Sequence, residues 1–327
     1  MSRKRCPYTY EDIISVANLL LAWQEFARGK RDKPDVQEFQ SRLMDNMFAL
    51  HRELRDGMYR HGPYHHFRIS DPKPRDIHKA SVRDRLVHHA IHRILYPFFD
   101  CAFISDSYSC RDGKGVHRAM DRFRQYAYRV SENQTRTCWV LKCDIRKFFA
   151  SIDQQALFDI LAQCIQDERT QMLIVEVVRS FQSTESGKGL PLGNLTSQLL
   201  VNIYMNEFDQ FVKHKLKATR YIRYADDFVI LSHDKSQLES LIPQIRDFLG
   251  TYLKLTLHPR KVSIATFASG IDFLGWVHFP DHRVLRKSTK RRTLRNCAGR
   301  EKDDPVVQSY VGSCGWGNAH KITSQMY

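Results

Sequence analysis

Two acidic residues stand side by side in an otherwise aromatic and β-branched run, Tyr221-Ile-Arg-Tyr-Ala-Asp-Asp-Phe-Val-Ile-Leu231. Asp is disfavoured in strands, so Ala225-Asp226-Asp227 is expected to form a hairpin turn that lays the flanking strands side by side. Two like charges beside a sheet cost stability unless a cation offsets them. A second apolar run, Trp139-Val-Leu-Lys-Cys-Asp144, also ends on a carboxylate. If the strands pair, Asp144 and Asp226 converge on one sheet edge. Convergent hard oxygen ligands suit Mg²⁺, which takes one or two protein carboxylates plus substrate phosphates and keeps several waters. Two such ions about 3.5–4 Å apart can activate an attacking hydroxyl and stabilise a leaving pyrophosphate. An Asp-Asp pair alone is also ordinary solvated turn chemistry. The joint occurrence of carboxylates at two strand ends favours metal chemistry.

The elements that must position these groups follow from periodicity. Residues 9 to 56 read as two helices, the first capped by Thr9 and the second ended by Gly57. A turn-rich extended segment follows, with Pro72 and Pro74 holding Lys73 out of helical geometry. Ser81 caps an expected helix through Phe99. Further helices are expected near 115–129, 153–166, 170–181, 194–216, 236–250 and Val306 to Val311. Strands are expected over Thr137 to Cys143, Tyr221 to Tyr224, Phe228 to Leu231, Leu253 to Leu257, and Phe273 to Phe279. Strands broken up by helices, with tight turns between neighbouring strands, imply an α+β fold around an antiparallel sheet. His88-His89-x-x-His92 could imitate a metal site, but no acidic or thiol ligand accompanies it, so a packed helix is expected.

The 327 residues allow one multi-lobed enzyme or two small domains. A 42% apolar content is enough for a real core. No apolar run approaches the roughly 20 residues needed to span a bilayer, and no signal segment follows the polar start; a soluble, cytoplasmic protein without a membrane partner is expected. Eight scattered cysteines form no C-x-x-C pair, which fits a reducing compartment and excludes a disulfide framework. The formal charge is +15, from 51 Lys and Arg against 36 Asp and Glu. That excess favours a polyanion; the basic residues are not gathered on one amphipathic helix, so nucleic acid is preferred over a membrane surface.

Tyr224-Ala-Asp-Asp227 resembles the central Y-x-D-D motif of reverse transcriptases, and Asp144 with Phe148-Phe149 resembles their preceding metal-binding motif. The resemblance runs in the family's order over roughly residues 60 to 327. It implies a right-hand polymerase with an antiparallel palm sheet packed on helices, and RNA-directed DNA synthesis from deoxynucleotides on template RNA and a primer. It implies two Mg²⁺ ions, with Mn²⁺ as a substitute, held by Asp144, Asp226, Asp227 and the backbone of Ile145. Lys73-Pro-Arg75 and Arg146 match positions that hold the incoming triphosphate, and Ser107 to His117 looks like the next block. Phe149 matches an aromatic wall that a 2′-hydroxyl would strike; one of Phe148 and Phe149 is expected to be core. Leu192-Gly-Asn-Leu-Thr-Ser-Gln198 is the nucleotide-binding block, with Leu192, Gly193, Ser197 and Gln198 at the nascent pair, and Gly193 and Ser197 expected on one helical face. Lys261 matches a residue serving the leaving pyrophosphate. Phe273-Leu274-Gly275-Trp276 matches a primer grip, followed by Arg286, Lys287, Lys290, Arg291 and Arg292 along template and primer.

The implied boundaries are an N-terminal helical extension at 1–60, fingers at 61–137, a palm at 138–280 with a fingers segment at about 167–195, and a short basic thumb at 281–327. With these boundaries no RNase H or endonuclease domain is expected. Leu192 and Gln198 replace the Gln and Pro that many members carry. That pattern is similar to reverse transcriptases of diversity-generating retroelements, which copy template RNA carelessly at adenines. This similarity implies a small basic accessory variability protein, pentameric, as partner. Ala225 departs from the Met that members of this group carry. Rival readings are another bacterial reverse transcriptase of antiphage-defence or group II intron descent, a non-catalytic RNA-binding scaffold, and RNA-dependent RNA synthesis.

Overall fold

The computed structural model describes residues 4–70 and 74–326. The chain divides into two compact units, the first comprising Met1–Ile104, Arg146–Gln210 and Phe248–Thr256. Its hub is the helix Val82–Asp100, started by Ser81, whose hydroxyl accepts from the Asp84 N–H. Leu86, Ala90 and Leu95 recur at helical spacing and are buried. The hub packs against the helices Val16–Ala27 and Leu195–Gln210.

The N-terminal region holds four helices rather than two: Tyr10–Ile14, Val16–Ala27, Pro34–Ser41 and Leu43–Arg55. Ser15 leaves helical geometry and its Oγ accepts from the Asn18 N–H, which breaks the first expected helix at a cap. Pro34 starts the third helix at its first turn, where its missing N–H costs nothing. The extended segment that follows is a hairpin of β1 (His65–Ile69) and β2 (Arg75–Lys79), paired from His65↔Lys79 to Ile69↔Arg75. The strand expected over Leu253 to Leu257 is absent. Lys254 has φ +49° and the Leu255 N–H bonds the Leu249 carbonyl, so this stretch closes the helix Lys235–Tyr252. Alternating buried Leu253, Leu255 and Leu257 had imitated a strand.

The second unit comprises Ser105–Ile145, Phe211–Asp247 and Leu257–Tyr327. Its sheet contains β3 (Trp139–Asp144), β4 (Tyr221–Tyr224), β5 (Asp227–Ser232) and β6 (Ser263–Thr266), in the order β4-β5-β3-β6 and antiparallel throughout. Val140, Ile222, Val229 and Leu231 pack with Ala119, Phe123 and Ala127 of the helix Val116–Val130. Phe123 is fully buried, 5.8 Å from the Phe267 ring and 5.6 Å from Phe273.

A separate three-stranded sheet holds β7 (Ile271–Phe273), β8 (Trp276–His278) and β9 (Arg283–Leu285). The single strand expected over Phe273 to Phe279 is thus a hairpin. Leu274 at φ +52° and Gly275 at φ +88° form its two-residue turn, a geometry that matches the twist of the flanking strands. Trp276 and Leu285 then pack with Cys297, Val307 and Cys314 from the helices Lys287–Cys297 and Pro305–Cys314. No helix among the described residues is long and apolar enough to cross a membrane. Phe123→Ala removes the ring on which sheet and hairpin both rest. It is expected to cost about 3–5 kcal/mol of unfolding free energy, read from urea denaturation of the purified protein.

Candidate active site

Backbone pairing brings the acidic residues together. Asp144 ends β3 and is the cross-strand partner of Asp227, which begins β5. Directly paired residues of an antiparallel ladder have Cα atoms about 4.5–5.5 Å apart and side chains on one face. Tyr224 also pairs with Asp227, so the turn is Ala225–Asp226 alone and Asp227 is a strand residue. Ala225 holds φ +54°, a left-handed conformation that costs a residue with a Cβ about 1–2 kcal/mol. The Ile145 N–H donates to the Asp226 carbonyl at 3.1 Å, fastening the turn to the end of β3. Ile145 is itself buried and bridges Leu257, while the His258 N–H donates to the Asp144 carbonyl at 2.7 Å.

Asp144 and Asp227 end a sheet face on which Val140, Val229 and Leu231 are core and Lys142 is half-buried. Asp227 Oδ1 is enclosed and accepts no hydrogen bond. Burial pushes the Asp227 carboxyl up to about 7; the Lys142 ammonium opposes the shift, and the charges of Asp144 and Asp226 add to it. Two lysines balance the pair. Lys142 Nζ lies 3.8 Å from Asp227 Oδ2, and Lys261 Nζ donates to both Asp144 oxygens at 2.9 Å. As the side chains stand, no three His, Cys, Asp or Glu among the described residues are gathered around one point. An orphaned buried carboxylate oxygen, like charges alongside and an all-oxygen donor set nonetheless fit a hard divalent cation.

Two further residues of the second unit were not anticipated. Arg223 is fully buried; its guanidinium donates to the Ala225 carbonyl at 3.3 Å and to Ser107 Oγ at 3.0 Å. Its backbone N–H bonds the Asp106 carbonyl and its carbonyl accepts from Tyr108, both at 3.0 Å. Lys142 is the other. Each is a cation set inside an apolar strand, and that anomaly is the signal the sequence offered. Of the expected primer-grip residues, Phe273 and Trp276 are buried, whereas Leu274 and Gly275 are half-buried at the turn. Arg286 Nε donates to Asp272 Oδ1 at 2.7 Å. Lys287, Lys290 and Arg291 are exposed on the helix Lys287–Cys297, and Arg292 is half-buried.

The remaining candidates lie in the first unit. Lys73 falls outside the described residues, and Arg75 is exposed at the start of β2. Arg146 is exposed, its N–H on the Thr256 carbonyl at 2.9 Å. Phe148 is buried and Phe149 half-buried, on a helical turn, Phe148–Ser151, rather than a strand. Leu192 is half-buried; its carbonyl accepts from the His78 N–H at 3.2 Å, and Asn194 Nδ2 donates to the His78 carbonyl at 3.1 Å. Gly193 does not share a helical face with Ser197, because the helix starts only at Leu195. Gly193 sits at φ +103°, where an added Cβ would come 3.1 Å from Ile77 Cγ2. Ser197 is buried and Gln198 half-buried. His88 is buried between His61 and Thr196, and desolvation lowers its pKa to about 3.

A carboxyl raised from 3.8 to about 7 contributes stability below pH 4 that is lost as pH rises towards 7. With chelator present, Asp227→Asn is expected to raise the Tm at pH 8 by about 2–6 °C and to leave it unchanged at pH 4. Thermal melts across that range would measure the difference.

Residues 70–278 match the sequence model of the family described as Reverse transcriptase (RNA-dependent DNA polymerase). Protein YkfC of Escherichia coli K12 is 28% identical over 298 residues, covering 78% of this chain and 75% of that protein. The Group II intron-encoded protein LtrA of Lactococcus lactis subsp. cremoris is 23% identical over 312 residues, and the match spans 74% of this chain but only 50% of LtrA. Among solved structures, apo telomerase from Candida tropicalis, truncated from its C-terminal domain, superposes with a TM-score of 0.50 at 11% identity. That match covers 72% of this chain and 58% of the telomerase chain. The α+β architecture with its antiparallel sheet is that of the right-hand polymerases. This chain belongs to the reverse transcriptase family of RNA-dependent DNA polymerases.

Proposed function

We propose that this chain extends a primer on template RNA with deoxynucleotides, and that Asp144, Asp226 and Asp227 hold the two magnesium ions of nucleotidyl transfer. The supporting observation is the direct pairing of Asp144 with Asp227, with Asp226 in the turn that joins the paired strands. Reverse transcriptases use divalent metal ions, and such ions activate the attacking hydroxyl and neutralise the departing pyrophosphate. The chain's own residues bind, orient and select. Lys261 supplies positive charge or a proton to the pyrophosphate. Phe149 selects against a 2′-hydroxyl. Lys73, Arg75 and Arg146 hold the triphosphate, and Leu192, Gly193, Ser197 and Gln198 border the nascent pair. Leu274 and Gly275, with the cations of the helix Lys287–Cys297, contact primer and template.

The accompanying assignment is an N-terminal extension at 1–60, fingers at 61–137 and about 167–195, palm at 138–280 and thumb at 281–327. The four-stranded sheet within 138–280 and the basic helix within 281–327 support it.

The finer reading is a polymerase of a diversity-generating retroelement, working with a small basic pentameric accessory protein. Leu192 and Gln198 support it: Leu192 lacks the amide that a Gln would offer, so the nascent pair is chosen more by shape. A second reading, descent from group II intron polymerases, is favoured by the similarity to LtrA.

Asp226→Ala is expected to abolish primer extension on a defined RNA template while RNA affinity stays within about threefold of wild type; matching losses of both would assign Asp226 a structural role. Leu192→Gln is expected to lower errors opposite template adenine by about tenfold, counted by sequencing the cDNA. An unchanged error spectrum would discard the retroelement reading of this residue.

A further inference from the structure

The Lys142 side chain has no part in the function proposed so far, yet it touches both ends of the chemistry. β3 alternates its faces, so Val140, Lys142 and Asp144 share one side. Val140 is core on that side and Asp144 is a candidate ligand. A lysine between them would be desolvated at a cost unless its three donors found partners. It finds two. Its ammonium donates to the backbone carbonyl of Asp272 and lies 3.8 Å from Asp227 Oδ2.

Asp272 is the middle residue of β7, immediately before the Phe273–Trp276 turn. Its carboxylate is engaged by Arg286, whose own N–H donates to the Gly275 carbonyl at 3.1 Å. One continuous chain of contacts therefore runs from Asp227 through Lys142 to Asp272, Arg286 and the tip of the hairpin. Every member lies in the second unit. The two sheets also share an apolar core that holds Val140 and Val229 with Ile271 and Phe273. Apolar packing fixes distance but resists sliding weakly, whereas a directional charge-assisted bond fixes register.

We propose that Lys142 is a positioning residue that ties the Asp227 carboxylate to the Asp272 carbonyl and so holds the Leu274–Gly275 turn in register with the aspartates. The inference rests on the polymerase reading for its consequence, which is alignment of the primer end with the reacting centre. It also has a consequence of its own. A fixed cation 3.8 Å from Asp227 opposes any second cation at that carboxylate, so Lys142 trades affinity for the ion against geometry.

The test compares Lys142→Met, which keeps the aliphatic stem without the charge, with Lys142→Arg, which keeps charge and donors. Single-turnover extension gives the rate of nucleotide addition and the affinity for deoxynucleotide. Fluorescence anisotropy gives template-primer affinity, and electron paramagnetic resonance gives Mn²⁺ binding to the protein without substrates. Lys142→Met is expected to slow addition by about ten- to a hundredfold, with both substrate affinities within about threefold of wild type. It should also tighten Mn²⁺ binding by about three- to tenfold, while Lys142→Arg stays within about threefold of wild type in both readouts. A purely structural role would slow addition without tightening Mn²⁺. The proposal is overturned if Lys142→Met leaves Mn²⁺ affinity unchanged, or if Lys142→Arg loses as much rate as Lys142→Met. Should the wild-type chain extend no primer, the polymerase reading fails by itself, and the Mn²⁺ comparison still decides whether Lys142 acts on the carboxylate.

Discussion

The antiparallel pairing of β3 with β5 is the constraint on which the remaining features depend. It sets Asp144 opposite Asp227 on a face that carries the core residues Val140, Val229 and Leu231, with Lys142 among them. The cost is a carboxylate stripped of water and set beside like charges: burial first, then the charges of Asp144 and Asp226, raise the pKa of Asp227. The surroundings answer that cost in three ways. Lys261 closes on Asp144, Lys142 approaches Asp227, and the buried Arg223 braces the turn that carries Asp226. All three are positive and come from different parts of the chain. The acidic cluster thus organises basic residues from β3, β4 and the turn after Leu257.

Part of the backbone strain falls at the same places. Ala225 and Leu274 both hold positive φ without being glycine, one in the turn that carries Asp226 and the other at the tip of the β7–β8 hairpin. Such conformations persist only where neighbours over-determine them. At Ala225 the neighbours are Arg223 and the Ile145 N–H on Asp226; at Leu274 they are the pairing of Phe273 with Trp276 and the packing of Leu274 against both cores of this unit. The two strained turns are linked through Lys142, Asp272 and Arg286.

Much of this was legible in the sequence, because strands read well where aromatic and β-branched residues run unbroken. Tyr221–Tyr224 and the run ending at Asp144 are found where the pattern puts them. Failures have physical causes. Leu253, Leu255 and Leu257 alternate like a strand but wrap a helix end, where αL geometry at Lys254 produces the same burial pattern. Gly193 resembled a helical residue by spacing, yet its value lies in a backbone conformation that spacing does not encode. Lys142 and Arg223 were passed over because their partners, Asp272 and Ser107, lie more than a hundred residues away in the chain. Local pattern carries no information about such pairs.

The two-residue turn between Tyr224 and Asp227 has a consequence for what the chain can tolerate. Side chains alternate along a strand, so one residue inserted there would rotate all of β5 by half a repeat. Asp227 would be driven towards the opposite layer and Phe228 out onto the reacting face. Length at this loop is therefore fixed more rigidly than composition, and a deletion or insertion there would be far more damaging than an exchange of Ala225 for another small side chain.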